Sequence, residues 1–260
     1  MSLKDLAFNL LFPPKCSNCH ELLDVSLTDR TRETLCPSCR VSFENERNRE
    51  CADCGLSMRF CRCMPKNMSK AQCSALLKLI SYRPQDLDYP ISQFLYSVKR
   101  RDDRGYFDFV ADQMRALLIS ELRARSLMPD ECVITFLPRS SKNYAEHGFD
   151  QGLSLARALS NVTGIKMVNC FKRGYFSKEQ KSLNQYERRL NMNSAFTLRD
   201  VGDDLEDKTV ILVDDIVTTG ASMASCARMV YSIGAYDVFG ISIAVTEKVK
   251  NNIKNKRSND

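Results

Sequence analysis

Two stretches of this chain carry residue types at spacings that imply chemistry. The first is Val210-Ile211-Leu212-Val213-Asp214-Asp215-Ile216-Val217-Thr218-Thr219-Gly220-Ala221-Ser222. Its four leading apolar residues predict a buried strand with two carboxylates at its C-terminal end, the place where parallel sheets bind ligands. Gly220 lets the backbone approach an oxyanion closely. Thr218, Thr219 and Ser222 add hydroxyl donors to the free amides of the following helix, whose dipole favours the same dianion. Adjacent acids beside a phosphate repel it unless they accept hydrogen bonds from sugar hydroxyls or face a metal. A ribose 5-phosphate with Mg2+ meets both demands. The competing reading is a strand, loop and helix whose acids hold Mg2+ for some other phosphate chemistry.

The second stretch holds the thiols. Eight of the twelve cysteines lie between residues 16 and 63, as Cys16 with Cys19, Cys36 with Cys39, Cys51 with Cys54, and Cys61 with Cys63. Sixteen residues separate the first two pairs, a spacing that lets two knuckles offer four thiolates to one tetrahedral zinc. The last four give a second site, although an interleaved pairing is also open. Two structural Zn2+ ions are expected. Four sulfurs close a site to water and substrate, so these metals stabilise and present a surface rather than catalyse. Cys73, Cys132, Cys170 and Cys226 stand singly in apolar contexts and read as core thiols.

The elements that must position these residues follow from periodicity. Residues 1–70 are punctuated by Pro13, Pro14, Pro37, Gly55 and Pro65 and read as a loop-built metal-binding module. Residues 71–247 alternate helical and β-branched runs. Helices are expected at 91–99, 106–125, 151–161 and 222–232, and strands at 133–137, 165–168, 210–213 and 238–245. In the last helix Met223, Cys226, Ala227 and Val230 face the sheet, and Gly234 is the stop. Such alternation implies an α/β fold, a mainly parallel sheet with flanking helices preceded by the small cysteine-rich module. Residues 248–260, with Lys248, Lys250, Lys254, Lys256 and Arg257, read as a basic flexible tail.

With 260 residues, 43% hydrophobic and 27% charged, the chain has room for one sizeable core beside the module. The formal charge of +6 falls to about +2 once eight thiolates and two zinc ions are counted, so global charge argues little for nucleic acid. No apolar run approaches the roughly eighteen residues a membrane span needs, and the N-terminus lacks the form of a secretory signal; a cytoplasmic protein is expected. Leu3, Leu6, Phe8, Leu10, Leu11 and Phe12 read as a short packing helix.

The stretch from Val210 to Ser222 closely resembles the signature of the type I phosphoribosyltransferases. That resemblance implies that Asp214 and Asp215 hold the ribose hydroxyls and that Thr218, Thr219, Gly220, Ala221 and Ser222 hold the 5′-phosphate. The opening Leu10-Leu11-Phe12-Pro13-Pro14-Lys15-Cys16-Ser17-Asn18-Cys19, the motif from Pro138-Arg139 to Gly148-Phe149-Asp150-Gln151, and the run from Gln180 through Arg188 to Phe196 resemble ComF proteins in the same order. The ComF resemblance implies a competence or DNA-uptake protein with a phosphoribosyltransferase-like domain and a double zinc ribbon. Expected partners are phosphoribosyl pyrophosphate or a related nucleotide, single-stranded DNA, and competence or recombination proteins.

In that fold the loop after an earlier strand binds pyrophosphate, which assigns Arg139, Ser140 and Lys142; His147 is given no role. Lys172, Arg173, Lys178, Lys181, Arg188 and Arg189 surround Phe171, Tyr175, Phe176 and Tyr186. Cations among aromatics suit a single-strand binder or a hood over the phosphoribosyl site. Thr218 stands where some purine transferases carry an acid that manages the nucleobase proton, so a base-handling group is not identified. An active phosphoribosyltransferase remains the alternative to a DNA-handling factor.

Overall fold

The structure is a computed structural model that describes residues 13–23, 34–84, 89–100, 103–139, 148–173 and 196–247. Five strands form one parallel sheet in the order β1-β7-β6-β2-β3: β1 Leu76–Tyr82, β2 Cys132–Phe136, β3 Lys166–Met167, β6 Thr209–Val217 and β7 Asp237–Thr246. Two short strands, β4 Phe171–Arg173 and β5 Phe196–Leu198, pair antiparallel beside it. The α-helices are α1 Pro37–Asn48, α2 Lys66–Lys70, α3 Ser92–Arg100, α4 Arg104–Ala124, α5 Gln151–Thr163 and α6 Ala221–Tyr231, and short 3-10 turns at Pro129–Glu131 and Gly202–Leu205 complete the described elements. No helix among the described residues is long and apolar enough to cross a membrane.

The expected parallel sheet with flanking helices is therefore present, and each strand and helix named above from periodicity lies within a few residues of its place. Strand β6 is buried from Thr209 to Val213 because both its faces are covered. Residues alternate between those faces. Val210 and Leu212 join Met223, Ala227 and Val230 of α6 in one core cluster, whereas Ile211 and Val213 join Tyr106 of α4 and Leu155 and Leu159 of α5 in the other. The strand also runs on past its acids, since Ile216 and Val217 still pair with Ala244 and Val245 of β7.

The cysteine segment departs from a loop-built module. Pro37, read as punctuation, stands at the first turn of the twelve-residue α1, where its missing N–H costs nothing. Phe43 of α1 is fully buried, with its ring 5.4 Å from Phe94 and 5.6 Å from Phe109, in the same cluster as Cys16, Cys36 and Cys39. The thiol segment and one face of the sheet thus share a core. A second tie is Lys78 in the middle of β1, buried and donating to the Cys63 carbonyl at 2.6 Å. A third is Arg62, whose guanidinium meets the buried Glu121 of α4 at 2.6 Å. That lysine interrupts an apolar run, which is why β1 was not expected from the sequence.

Helix α5 approaches the end of β2 closely. Asp150 caps it, accepting from the amides of Gly152 at 2.9 Å and Leu153 at 3.2 Å. A Cβ on Gly152 would stand 2.9 Å from the Leu137 carbonyl oxygen. Gly to Ala in a helix ordinarily stabilises by up to about 1 kcal/mol. Here the clash reverses the sign, and Gly152→Ala is expected to cost about 1–3 kcal/mol, read as a lower urea midpoint; a raised midpoint would mean that α5 is free to shift.

Candidate functional site

The sheet order reverses between β2 and β6. From β2 the chain crosses by α5 outward to β3, and from β6 it crosses by α6 the other way to β7. A crevice at the carboxyl ends of those two strands is the position where open α/β sheets take ligands. A cleft of about 260 Å³ lies there, lined by Pro138, Arg139, Gln151, Arg173, Asp214, Asp215 and Ser222 among others.

Each side chain is placed by a local cause. Because strand side chains alternate, Asp214 follows Leu212 toward the α6 side and Asp215 follows Val213 toward α5. The main chain ties both: the Asp215 amide donates to Asp214 Oδ1 at 2.9 Å and the Ile216 amide to Asp215 Oδ1 at 2.7 Å. Burial, then the neighbouring Asp215 charge, hold the Asp214 carboxyl well above the usual carboxylate range. Asp215 Oδ2 accepts from the Gln151 amide nitrogen, and the Gln151 amide oxygen accepts from Arg139 Nη2. The Arg139 main-chain amide donates to the cap residue Asp150 at 2.9 Å, and its guanidinium lies 5.4 Å from the Phe149 ring centre.

The turn at residues 218–222 follows. Gly220 has φ +68, a left-handed value suited to glycine, and is the N-cap of α6. Thr218, Thr219, Ala221 and Ser222 are exposed around it. Beneath it lies the segment that leaves the cysteine module: Asn67 Nδ2 donates to the Thr219 carbonyl at 3.0 Å, and a Cβ on Gly220 would meet Met68 Cγ at 2.8 Å and Pro65 Cβ at 3.0 Å. Sequence reasoning missed this contact and missed Gln151 as a site residue. The motif Gly148-Phe149-Asp150-Gln151 was the available signal for the latter.

The structure brings Asp214, Asp215, Ser222, Arg139 and Arg173 to one cleft. Arg173 of β4 donates to the Pro138 carbonyl at 3.4 Å and lies 5.1 Å from the Phe196 ring centre; it and its neighbour Lys172 are both exposed. Ser140, Lys142, His147, Tyr175, Phe176, Lys178, Lys181, Tyr186, Arg188 and Arg189 lie outside the described residues, as do the apolar N-terminal cluster and the basic tail.

The eight thiols form two groups, Cys16 with Cys19, Cys36 and Cys39, and Cys51 with Cys54, Cys61 and Cys63, each with its sulfurs within 4.8 Å of one another. The pairing is sequential and not interleaved. A tetrahedral ion with bonds near 2.3 Å puts its sulfurs roughly 3.8 Å apart. Cys19 and Cys36 stand 3.6 Å apart, as do Cys54 and Cys61, so both groups fit a metal ion. Burial, then the Cys54 and Cys61 sulfurs, push the Cys63 thiol up to about 12, so a bound cation must displace protons. Asn18, inside the first knuckle, donates to Cys39 Sγ at 3.3 Å and accepts from the Phe94 amide at 3.0 Å, tying that group to α3.

No family model matches the chain. It is 26% identical over 230 residues to the DNA utilization protein YhgH of Escherichia coli O157:H7, covering 86% of each chain. It is 22% identical over 227 residues to Competence protein F of Haemophilus influenzae, covering 86% of this chain and 93% of that protein. The resemblance to ComF proteins therefore extends along most of the chain. Among solved structures, the purine phosphoribosyltransferase of Pyrococcus horikoshii is 22% identical over 53% of this chain and 74% of its own, with a TM-score of 0.31. The adenine phosphoribosyltransferase of Leishmania tarentolae is 16% identical over 58% and 74%, with a TM-score of 0.34.

Two outcomes are expected. Metal analysis of purified protein yields two ions per chain, and Cys61→Ser yields one; a single ion in the unaltered protein would leave one thiol group without a metal role. For Asp214 the raised carboxyl value makes its contribution to stability fully present below the unfolded value and progressively lost as pH rises toward the folded one. Asp214→Asn should melt close to the parent near pH 4 and above it at pH 7 to 8, read by thermal unfolding without added magnesium. Equal melting at both pH values would show that Asp214 is ionised at no cost.

Proposed function

We propose that this protein binds phosphoribosyl pyrophosphate, or a ligand of the same shape, together with Mg2+, and that it serves in the handling of incoming single-stranded DNA. The observation that carries the ligand reading is the convergence of two acids, a glycine turn at a helix N-terminus and an arginine on one cleft at the switch point of the sheet. In this reading Asp214 and Asp215 accept from the ribose hydroxyls, residues 218–222 hold the 5′-phosphate, and Arg139, with Ser140 and Lys142, neutralises the pyrophosphate. Mg2+ bound with the ligand would offset the charge that the diphosphate brings toward two carboxylates.

The DNA part is supported by the names of the relatives, and by the exposed cations Lys172 and Arg173 of β4, of which Arg173 lines the cleft. The two metal-binding groups are read as structural Zn2+ sites that shape a surface for DNA or a competence or recombination protein, and the protein is read as cytoplasmic. The names favour handling over group transfer.

Titration of the metal-loaded protein with phosphoribosyl pyrophosphate and Mg2+, with and without a short single-stranded DNA, tests this. Saturable binding is expected, with at least a tenfold loss in the Asp214→Asn, Asp215→Asn double variant, since several charge-assisted hydrogen bonds vanish at once. Coupling between the two ligands supports the handling role. Wild-type binding that the double variant retains would remove the acids from the site.

A further inference from the structure

Gln151 stands between the two halves of the cleft. We propose that Gln151 is a positioning residue that yokes Asp215 to Arg139, so that the sugar and the pyrophosphate of one ligand are recognised as a coupled unit. This rests on the ligand reading above and adds a role that neither the acids nor the phosphate turn supplies.

The chemistry fixes the direction of the amide. A carboxylate only accepts and a guanidinium only donates, so the Gln151 nitrogen must face Asp215 and its oxygen must face Arg139, which is the arrangement found. The side chain is buried at the first position of α5, and helix α5 is itself clamped against the end of β2 by Asp150 and Gly152. Three consecutive residues thus hold Arg139: Phe149 beneath its guanidinium, Asp150 on its main-chain amide, and Gln151 on its Nη2. Of these three, Gln151 also reaches the acid pair.

An amide does here what a direct ion pair would not. Were Arg139 to meet Asp215 itself, the two charges would neutralise one another and close the gap between the sugar arm and the pyrophosphate arm. Interposed, the neutral amide orders both groups and keeps the opposite charges apart and facing the cleft. A ligand group that orients Arg139 therefore also orients Asp215, through one rigid side chain on a rigid element.

The test is a double-mutant cycle read with two ligands, phosphoribosyl pyrophosphate and ribose 5-phosphate, each with Mg2+. Ribose 5-phosphate has no group to reach Arg139. With the yoke, Arg139→Ala still weakens ribose 5-phosphate by roughly threefold to tenfold, and by less than about twofold once Gln151→Leu is present, a coupling within the range measured for residues in contact. For phosphoribosyl pyrophosphate, Arg139→Ala costs affinity in both backgrounds. Melting temperatures of all four proteins report folding separately. Arg139→Ala with equal effects on ribose 5-phosphate in the two backgrounds, or with none in either, overturns the yoke and leaves the ligand reading standing. A wild-type protein that binds neither ligand overturns the ligand reading and the yoke with it.

Discussion

The glycine turn after β6 has no room beneath it. Gly220 adopts φ +68, and the space a side chain would need is taken by Met68 and Pro65, from the segment that leaves the second thiol group. Asn67 of the same segment holds the Thr219 carbonyl. An anion-binding turn works by presenting its amides in a fixed arc, so whatever sits behind the arc sets its shape. Here Pro65, Asn67 and Met68, which follow the second thiol group, stand behind the turn.

The module is in turn anchored to the sheet on more than one side. Lys78 enters from β1 to hold the Cys63 carbonyl, Arg62 reaches Glu121 on α4, and Phe43 inserts among Phe94 and Phe109. A buried ammonium is costly unless its donors are satisfied, and the carbonyls around the second thiol group satisfy it. Without a cation, thiols this close compete for protons; with one, they close into a rigid knot. The second thiol group is separate from the cleft, but the segment that follows it, Pro65 to Met68, packs against the glycine turn.

The cleft follows from strand alternation at the centre of the sheet. Two consecutive acids on β6 must lean to opposite faces, so a single dipeptide serves two neighbourhoods: α6 with its buried Cys226 on one side, α5 with Gln151 on the other. The reversal of strand order beside β6 leaves the carboxyl ends of β2 and β6 uncovered, and Arg139 and the glycine turn issue from those ends. Charge of both signs then meets in one crevice, with the Gln151 amide bonded to both Arg139 and Asp215.

The residues singled out as candidates for chemistry stand out in the sequence because each is recognised by its own type and local spacing. Paired acids after an apolar run, a threonine- and glycine-rich turn before a helix, and cysteine pairs at knuckle spacing need only a few neighbouring residues to make sense. The main strands and helices were legible for the same reason, since periodicity is local. Helix α1 was hidden by a proline that starts a helix as readily as it breaks one, and β1 by a lysine whose partners lie about fifteen residues away. Only the tertiary structure decided that Gln151 bridges Asp215 and Arg139, residues 64 and 12 positions away, and that Asn67 supports a turn 152 residues further along the chain. Such contacts depend on the order of strands in the sheet and on which helix covers which face, and no local pattern encodes either.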